Sequence, residues 1–171
     1  EDVTDNTNDG TIMGGEEWVT GVDGGGLNFD GIDNKIDAGN DASIDIGTGD
    51  FSIAAWIKMD PTQNTFPTLL AKGAGNNTDN GYWFLVKNNR LRLYISDGTS
   101  RLKAESNAAV AYDNLWHHVA AVVDRDDMVT FYVDGFAAGT FNVSSFDGKD
   151  ITSARNLTIG SWFNYSYTYL N

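Results

Sequence analysis

Residues Tyr82 to Ser106 read YWFLVKNNRLRLYISDGTSRLKAES, and this stretch decides the class of fold. Three runs rich in Leu, Ile, Val and aromatic residues are separated by Asn88-Asn89 and by Asp97-Gly98. Asn, Asp and Gly tolerate the positive φ that a tight hairpin demands, so each break reads as a chain reversal. Leu91, Leu93 and Ile95 alternate with Arg90, Arg92, Tyr94 and Ser96. That period of two belongs to a strand with one face on a core and the other solvated. The stretch is a three-stranded antiparallel meander.

The same grammar extends in both directions. FSIAAWIKM, from Phe51, puts Phe51, Ile53, Ala55 and Ile57 on one face and Trp56 on the other. Trp56 and Trp18 are both read as core residues. WHHVAAVVD, from Trp116, turns at Arg125-Asp126-Asp127 into MVTFYV, where Val129, Phe131 and Val133 share a face. Asp134-Gly135 then leads into FAAGTF, and the last clear strand is NLTIG from Asn156. Roughly a dozen strands and no helical periodicity predict an all-β antiparallel sandwich, with residues 1–171 as one domain.

Composition agrees. Hydrophobic residues make up 41% of the chain, enough for a sizeable core. The net charge is -13; of 24 acidic residues four are Glu, so twenty are Asp. Asp favours turns, where its short carboxylate bonds nearby amides, and with 19 Gly it describes strands joined by tight loops. An acidic field of this size repels phosphate backbones and anionic lipid, which excludes nucleic acid and membrane surfaces as partners. No apolar run is long enough to span a bilayer. With no Cys there is neither a disulfide framework nor a thiolate metal site. Sequons occur at Asn76, Asn142, Asn156 and Asn164.

GGGLNFDGIDNKIDAG (Gly24–Gly39), GDFSIAAWIK (Gly49–Lys58), LWHHVAAVVD (Leu115–Asp124), FYVDG (Phe131–Gly135) and LTIG (Leu157–Gly160) occur in an order that resembles the laminin-G-like, concanavalin A-like lectin/glucanase superfamily. DGTIMGGEEWVTG (Asp9–Gly21) is similar to that family's lead-in. The resemblance implies a jelly roll. It also implies a first strand of the type W-x-F-D-E and a last one like G-x-I-D-E-V-R-I-Y, neither of which is in the chain. Three explanations stand open: flanking sequence of a longer protein, a replacement strand supplied by SWFNYSYTYL, or strands donated by another subunit.

Candidate sites follow from chemistry. His117 and His118 open a strand, so their rings point to opposite faces and cannot chelate one ion; their role is structural. Glucanases on this fold carry an E-x-D-x-x-E strand, and no such string exists. In DASID, Asp41 and Asp45 would stand about 13 Å apart if extended, too far to share a glycosidic bond. The chain is therefore read as non-catalytic. For calcium, the resemblance points to the FDGID turn, with Asp30 and Asp33 joined by Asn8 and Asp9 of the lead-in loop, or by Asp37. For sugar, an aromatic platform is expected from Trp162, Tyr165, Tyr167 and Tyr169, with a second candidate in the loop carrying Asn77, Asp79 and Trp83. These features predict a secreted or cell-surface domain binding a glycan or a surface protein, with Ca2+ as candidate cofactor. The alternative is a structural subunit of an extracellular filament that self-associates through an open sheet edge.

Overall fold

The computed structural model describes residues 2–15, 17–61, 67–76 and 78–161. Among these are thirteen strands and two short 3₁₀ turns. The strands are β1 (Thr11–Met13), β2 (Glu17–Thr20), β3 (Gly25–Asn28), β4 (Lys35–Asp37), β5 (Phe51–Lys58), β6 (Thr68–Gly73) and β7 (Asn80–Lys87). They continue with β8 (Arg90–Asp97), β9 (Arg101–Ala109), β10 (Trp116–Val123), β11 (Met128–Val133), β12 (Phe136–Asn142) and β13 (Thr158–Ile159).

The predicted meander is β7-β8-β9. Asn88 and Asn89 take φ of 52° and 60°, the left-handed pair that closes a two-residue hairpin, and Lys87 faces Arg90 across it. These strands extend into a seven-stranded antiparallel sheet ordered β1-β4-β13-β6-β7-β8-β9. A second sheet runs β12-β11-β10-β5, and β2-β3 stand apart as a hairpin. Phe84, Leu91, Leu93 and Ile95 of the large sheet bury against Ile57, Val119, Ala121, Val129 and Phe131 of the small one. Each such side chain contributes roughly 1.5–3 kcal/mol of burial. Phe51 and Tyr82 meet across the gap with centroids 5.6 Å apart.

Several expectations need correction. The polar face of β8 is open to water only at Arg90 and in part at Tyr94. Arg92 is buried, its guanidinium held by Glu105 at 3.0 Å and by the Tyr94 hydroxyl at 3.2 Å, and Ser96 is fully buried. DASID is no strand: Asp41 caps a 3₁₀ turn at Ala42–Ile44 by accepting the Ser43 amide. Asp45 instead pairs at 3.2 Å with buried Lys72, whose ammonium also donates to the Ser153 and Arg155 carbonyls. Trp18 and Trp56 are not core: 63% and 51% of their surface is exposed.

The two flanks of the sandwich differ. On one, a β-bulge in β12 near Ala138 and Gly139 brings that strand onto β9. On the other, the small sheet ends at β5, over β6 and β7, while β13, β4 and β1 continue beyond it. Among the described residues β5 pairs only with β10.

Candidate binding cleft

The open flank is where chemistry gathers. Trp56 projects from the outer face of β5, as the alternation of FSIAAWIK requires. Across the ladder it faces His118, with rings edge to face at 5.2 Å. Two pairs further along, on the same face, Trp116 faces Lys58. The β2-β3 hairpin folds against Trp116 at Gly26, where a Cβ would come within 3.2 Å of the indole. Hairpin and sheet therefore touch closely only because that residue is glycine. Between them lies a cleft of about 750 Å³, within the usual size of a small-ligand site. Val19, Leu27 and Ile159 join the two indoles in its apolar lining; Thr20, Asp23, Asn28, Lys58, Asp60 and Asn114 are its polar residues.

The loop that carries Asn114 into the cleft is pinned by His117. This ring points inward, in register with Ile57, and bridges two carboxylates: Nδ1 to Asp134 at 2.7 Å and Nε2 to Asp113 at 3.1 Å. Asp134 also accepts the His118 amide and Asp113 the Leu115 amide. The bond from Asp134, with lesser help from Asp113, raises the His117 pKa above its ordinary 6.5 despite partial burial. The same bond holds the Asp134 carboxyl below its usual range, while the Leu115 amide is the main cause for Asp113. Both ring nitrogens can donate only in the imidazolium form, so this is a cationic pin between two acids.

The sequence-predicted residues fall elsewhere. Trp83 is no platform. It is 8% exposed, stacks on Tyr94 with centroids 5.2 Å apart, and donates its indole N–H to Thr68 at 3.0 Å. Trp83 sits in β7 between Tyr82 and Phe84, in a strand covered on both faces, so its indole packs where a one-sided sheet would have offered it to solvent. Asp79 is held by Arg155 at 3.2 Å. Asn77, Trp162, Tyr165, Tyr167, Tyr169 and Asn164 lie outside the described residues.

Asp30 spends one oxygen on the amides of Ile32, Asp33 and Asn34, at 2.8 to 3.3 Å, as a turn carboxylate does. Asn8 and Asp9 line a different, polar cleft of about 580 Å³ together with Asp37, Asp41 and Asn156. Asp30 and Asp33 are not part of that lining, so the structure does not bring the four calcium candidates together. No group of three or more His, Cys, Asp or Glu placed to hold a metal occurs among the described residues. The sequon residues Asn76 and Asn142 are exposed. At Asn156 the amide already donates to Asp37, and the sequon hydroxyl of Thr158 is buried against the Ala71 and Ser161 carbonyls.

Two of the four Glu are engaged structurally. Glu17 accepts from Asn28 at 2.6 Å, and Glu105 pairs with Arg92 and Lys103. Sequence reasoning missed the cleft, although its signal was present: the alternation in β5 already placed Trp56 opposite the buried series.

Comparison with known proteins matches this architecture. A laminin G-type family model, described as the concanavalin A-like lectin/glucanases superfamily, matches residues 29–170. The binding domain of Paraclostridial Mosquitocidal Protein 1 is similar in structure, with a TM-score of 0.75 at 18% identity over 98% of this chain and 43% of that one. Domains LG4-5 of the mouse laminin alpha1 chain give 0.57 at 16% identity, over 74% of this chain and 32% of that one. The CBM40 of Ruminococcus gnavus IT-sialidase, bound to α2,3 sialyllactose, gives 0.57 at 20% identity, over 77% and 78%. The chain thus spans less than half the length of the first two. No curated protein sequence matches it. With 142 of its residues under one family model and the expected sandwich in place, the chain belongs to the laminin G-type, concanavalin A-like lectin/glucanases superfamily.

Proposed function

We propose that this domain is a non-catalytic, extracellular carbohydrate-binding module that takes its glycan in the cleft between β5 and the β2-β3 hairpin. The observation that carries the reading is Trp56, a half-exposed indole standing beside Lys58, Asp60 and Asn114 at the mouth of that cleft. Sugar rings present an apolar C–H face ringed by hydroxyls, and an indole flanked by polar donors and acceptors complements both. Likeness to a carbohydrate-binding module that holds sialyllactose supports glycan as the ligand class.

In a titration of neutral oligosaccharides followed by calorimetry and indole fluorescence, binding is expected in the range typical of single sugar sites. Trp56→Ala lowers affinity at least tenfold, about 1.4 kcal/mol. Unchanged affinity in that variant rules the cleft out.

A second reading rests on the edge of β5 that has no strand partner among the described residues. Beside it, Ile46, Ile53, Leu70 and Ile159 line an apolar opening of about 330 Å³ between the sheets. A strand from a neighbouring subunit laid along β5 would cover that opening and satisfy the edge, as in strand-donation assemblies. Sedimentation separates the two: a discrete monomer favours the glycan module, and concentration-dependent polymers favour the assembly subunit.

A further inference from the structure

The polar groups of the cleft also define which glycans fit. Its charged lining is Asp23, Asp60 and Lys58, a net of one negative charge, within a chain carrying -13 overall. The lining Asn28 is itself bonded to the carboxylate of Glu17 at 2.6 Å. Recognition of a sugar carboxylate or sulfate is ordinarily built on arginine, whose planar fork makes two parallel bonds to such a group. The chain has five Arg, and none of them lines the cleft. Arg90, Arg92 and Arg101 are on the far sheet, with Arg92 locked to Glu105 and Arg101 lying over Tyr94. Arg125 is buried on the Phe146 carbonyl, and Arg155 is bonded to Asp79. Lys58 is the sole cation among the lining residues, and it is a strongly hydrated point charge set against two carboxylates.

We infer that the Trp56–Trp116 cleft selects uncharged glycans and discriminates against sialylated, uronic and sulfated ones. The inference rests on the glycan reading above and deepens it. Trp56 supplies a stacking face, which every pyranose with an apolar C–H side can use. Asp23 and Asp60 accept hydroxyl protons, Asn114 and Asn28 offer amides, and Lys58 donates to a ring or hydroxyl oxygen. An anionic substituent brought into this cleft meets two carboxylates and a single ammonium, with no guanidinium fork to replace the water it loses. This separates the chain from the sialyllactose-holding module it resembles in fold: shared architecture does not transfer ligand charge.

Matched pairs test it. Lactose is compared with α2,3-sialyllactose, and galactotetraose with tetragalacturonate, alongside cello-, manno- and chito-oligosaccharides. Affinities are measured by calorimetry at low and physiological salt. The neutral member of each pair is expected to bind about tenfold more tightly or better, with the gap narrowing as salt screens the carboxylates. Asp23→Asn combined with Asp60→Asn should narrow the gap further, and Trp56→Ala should abolish binding of the neutral members. Melting curves show whether each variant is folded. If the anionic member binds more tightly, and still needs Trp56, the glycan reading stands and the charge inference is overturned. If no member of the panel binds, or if Trp56→Ala leaves binding intact, the glycan reading itself fails and takes the inference with it.

Discussion

The two flanks of this sandwich meet the same problem differently. A sheet pair has to end somewhere, and each end threatens to leave apolar side chains and unpaired backbone in water. On the closed flank, β12 bulges so that its backbone comes against β9, and Gly139 at φ +133° fits where a Cβ would stand 2.7 Å from the Asn107 amide nitrogen. On the open flank, among the described residues, β5 is the last strand of its sheet and the β2-β3 hairpin faces it across the cleft. One edge is sealed by backbone contact; the other is left as a lined cleft. On the proposed reading, stability and recognition occupy opposite ends of one core.

Substitution at the closed flank tests this division with the largest effect. Gly139→Val places a β-branched side chain at a φ that L-residues avoid and drives it into Asn107. Backbone strain and overpacking each cost about 1–3 kcal/mol, so urea unfolding should show a loss of roughly 3 kcal/mol. Glycan affinity of the folded fraction should be unchanged. The mirror experiment is Trp56→Ala on the open flank, which costs stability only about 1–2 kcal/mol because the indole is half in water, yet removes binding. A loss of affinity in Gly139→Val at full folding would show that the flanks are coupled and break the comparison.

How far the sequence carries this picture depends on which physics is local. Hairpin chemistry is local, so Asn88-Asn89 and Asp134-Gly135 turn where their side chains and positive φ dictate. Period-two alternation is nearly local, so Phe51 and Ile57 are buried and His117 and His118 part to opposite faces as expected. What covers a face is not local. The β8 face carrying Arg92 and Ser96 reads as solvated, but pairing with Glu105 and stacking of Trp83 on Tyr94 bury it. The same blindness exchanged two indoles. Trp83, taken as an exposed platform, lies in a strand covered on both sides, whereas Trp56, taken as core, lies on an uncovered face. The DASID segment illustrates a third limit. Its Asp41 captures the Ser43 amide and curls the chain, a competition between side chain and backbone that spacing alone does not reveal.

The smaller prediction sharpens the comparison at the hinge between flanks, where His117 ties the β10 start to Asp134 and Asp113. The raised His117 pKa contributes stability that is fully present below the ring's ordinary value near 6.5 and is lost as pH rises through its folded value. The depressed carboxyls of Asp134 and Asp113 contribute stability present above roughly pH 4, lost as pH falls through their folded values. The pin is therefore strongest between those limits. Comparing melting temperatures of the parent and His117→Gln, the parent should lead by on the order of a few degrees near pH 5.5, and the lead should fade on the alkaline side. Because Asp113 anchors the loop that brings Asn114 to the cleft, glycan affinity of the parent should decline over the same alkaline range, while that of His117→Gln stays flat. Parallel pH profiles for the two proteins would show that the pin serves neither flank.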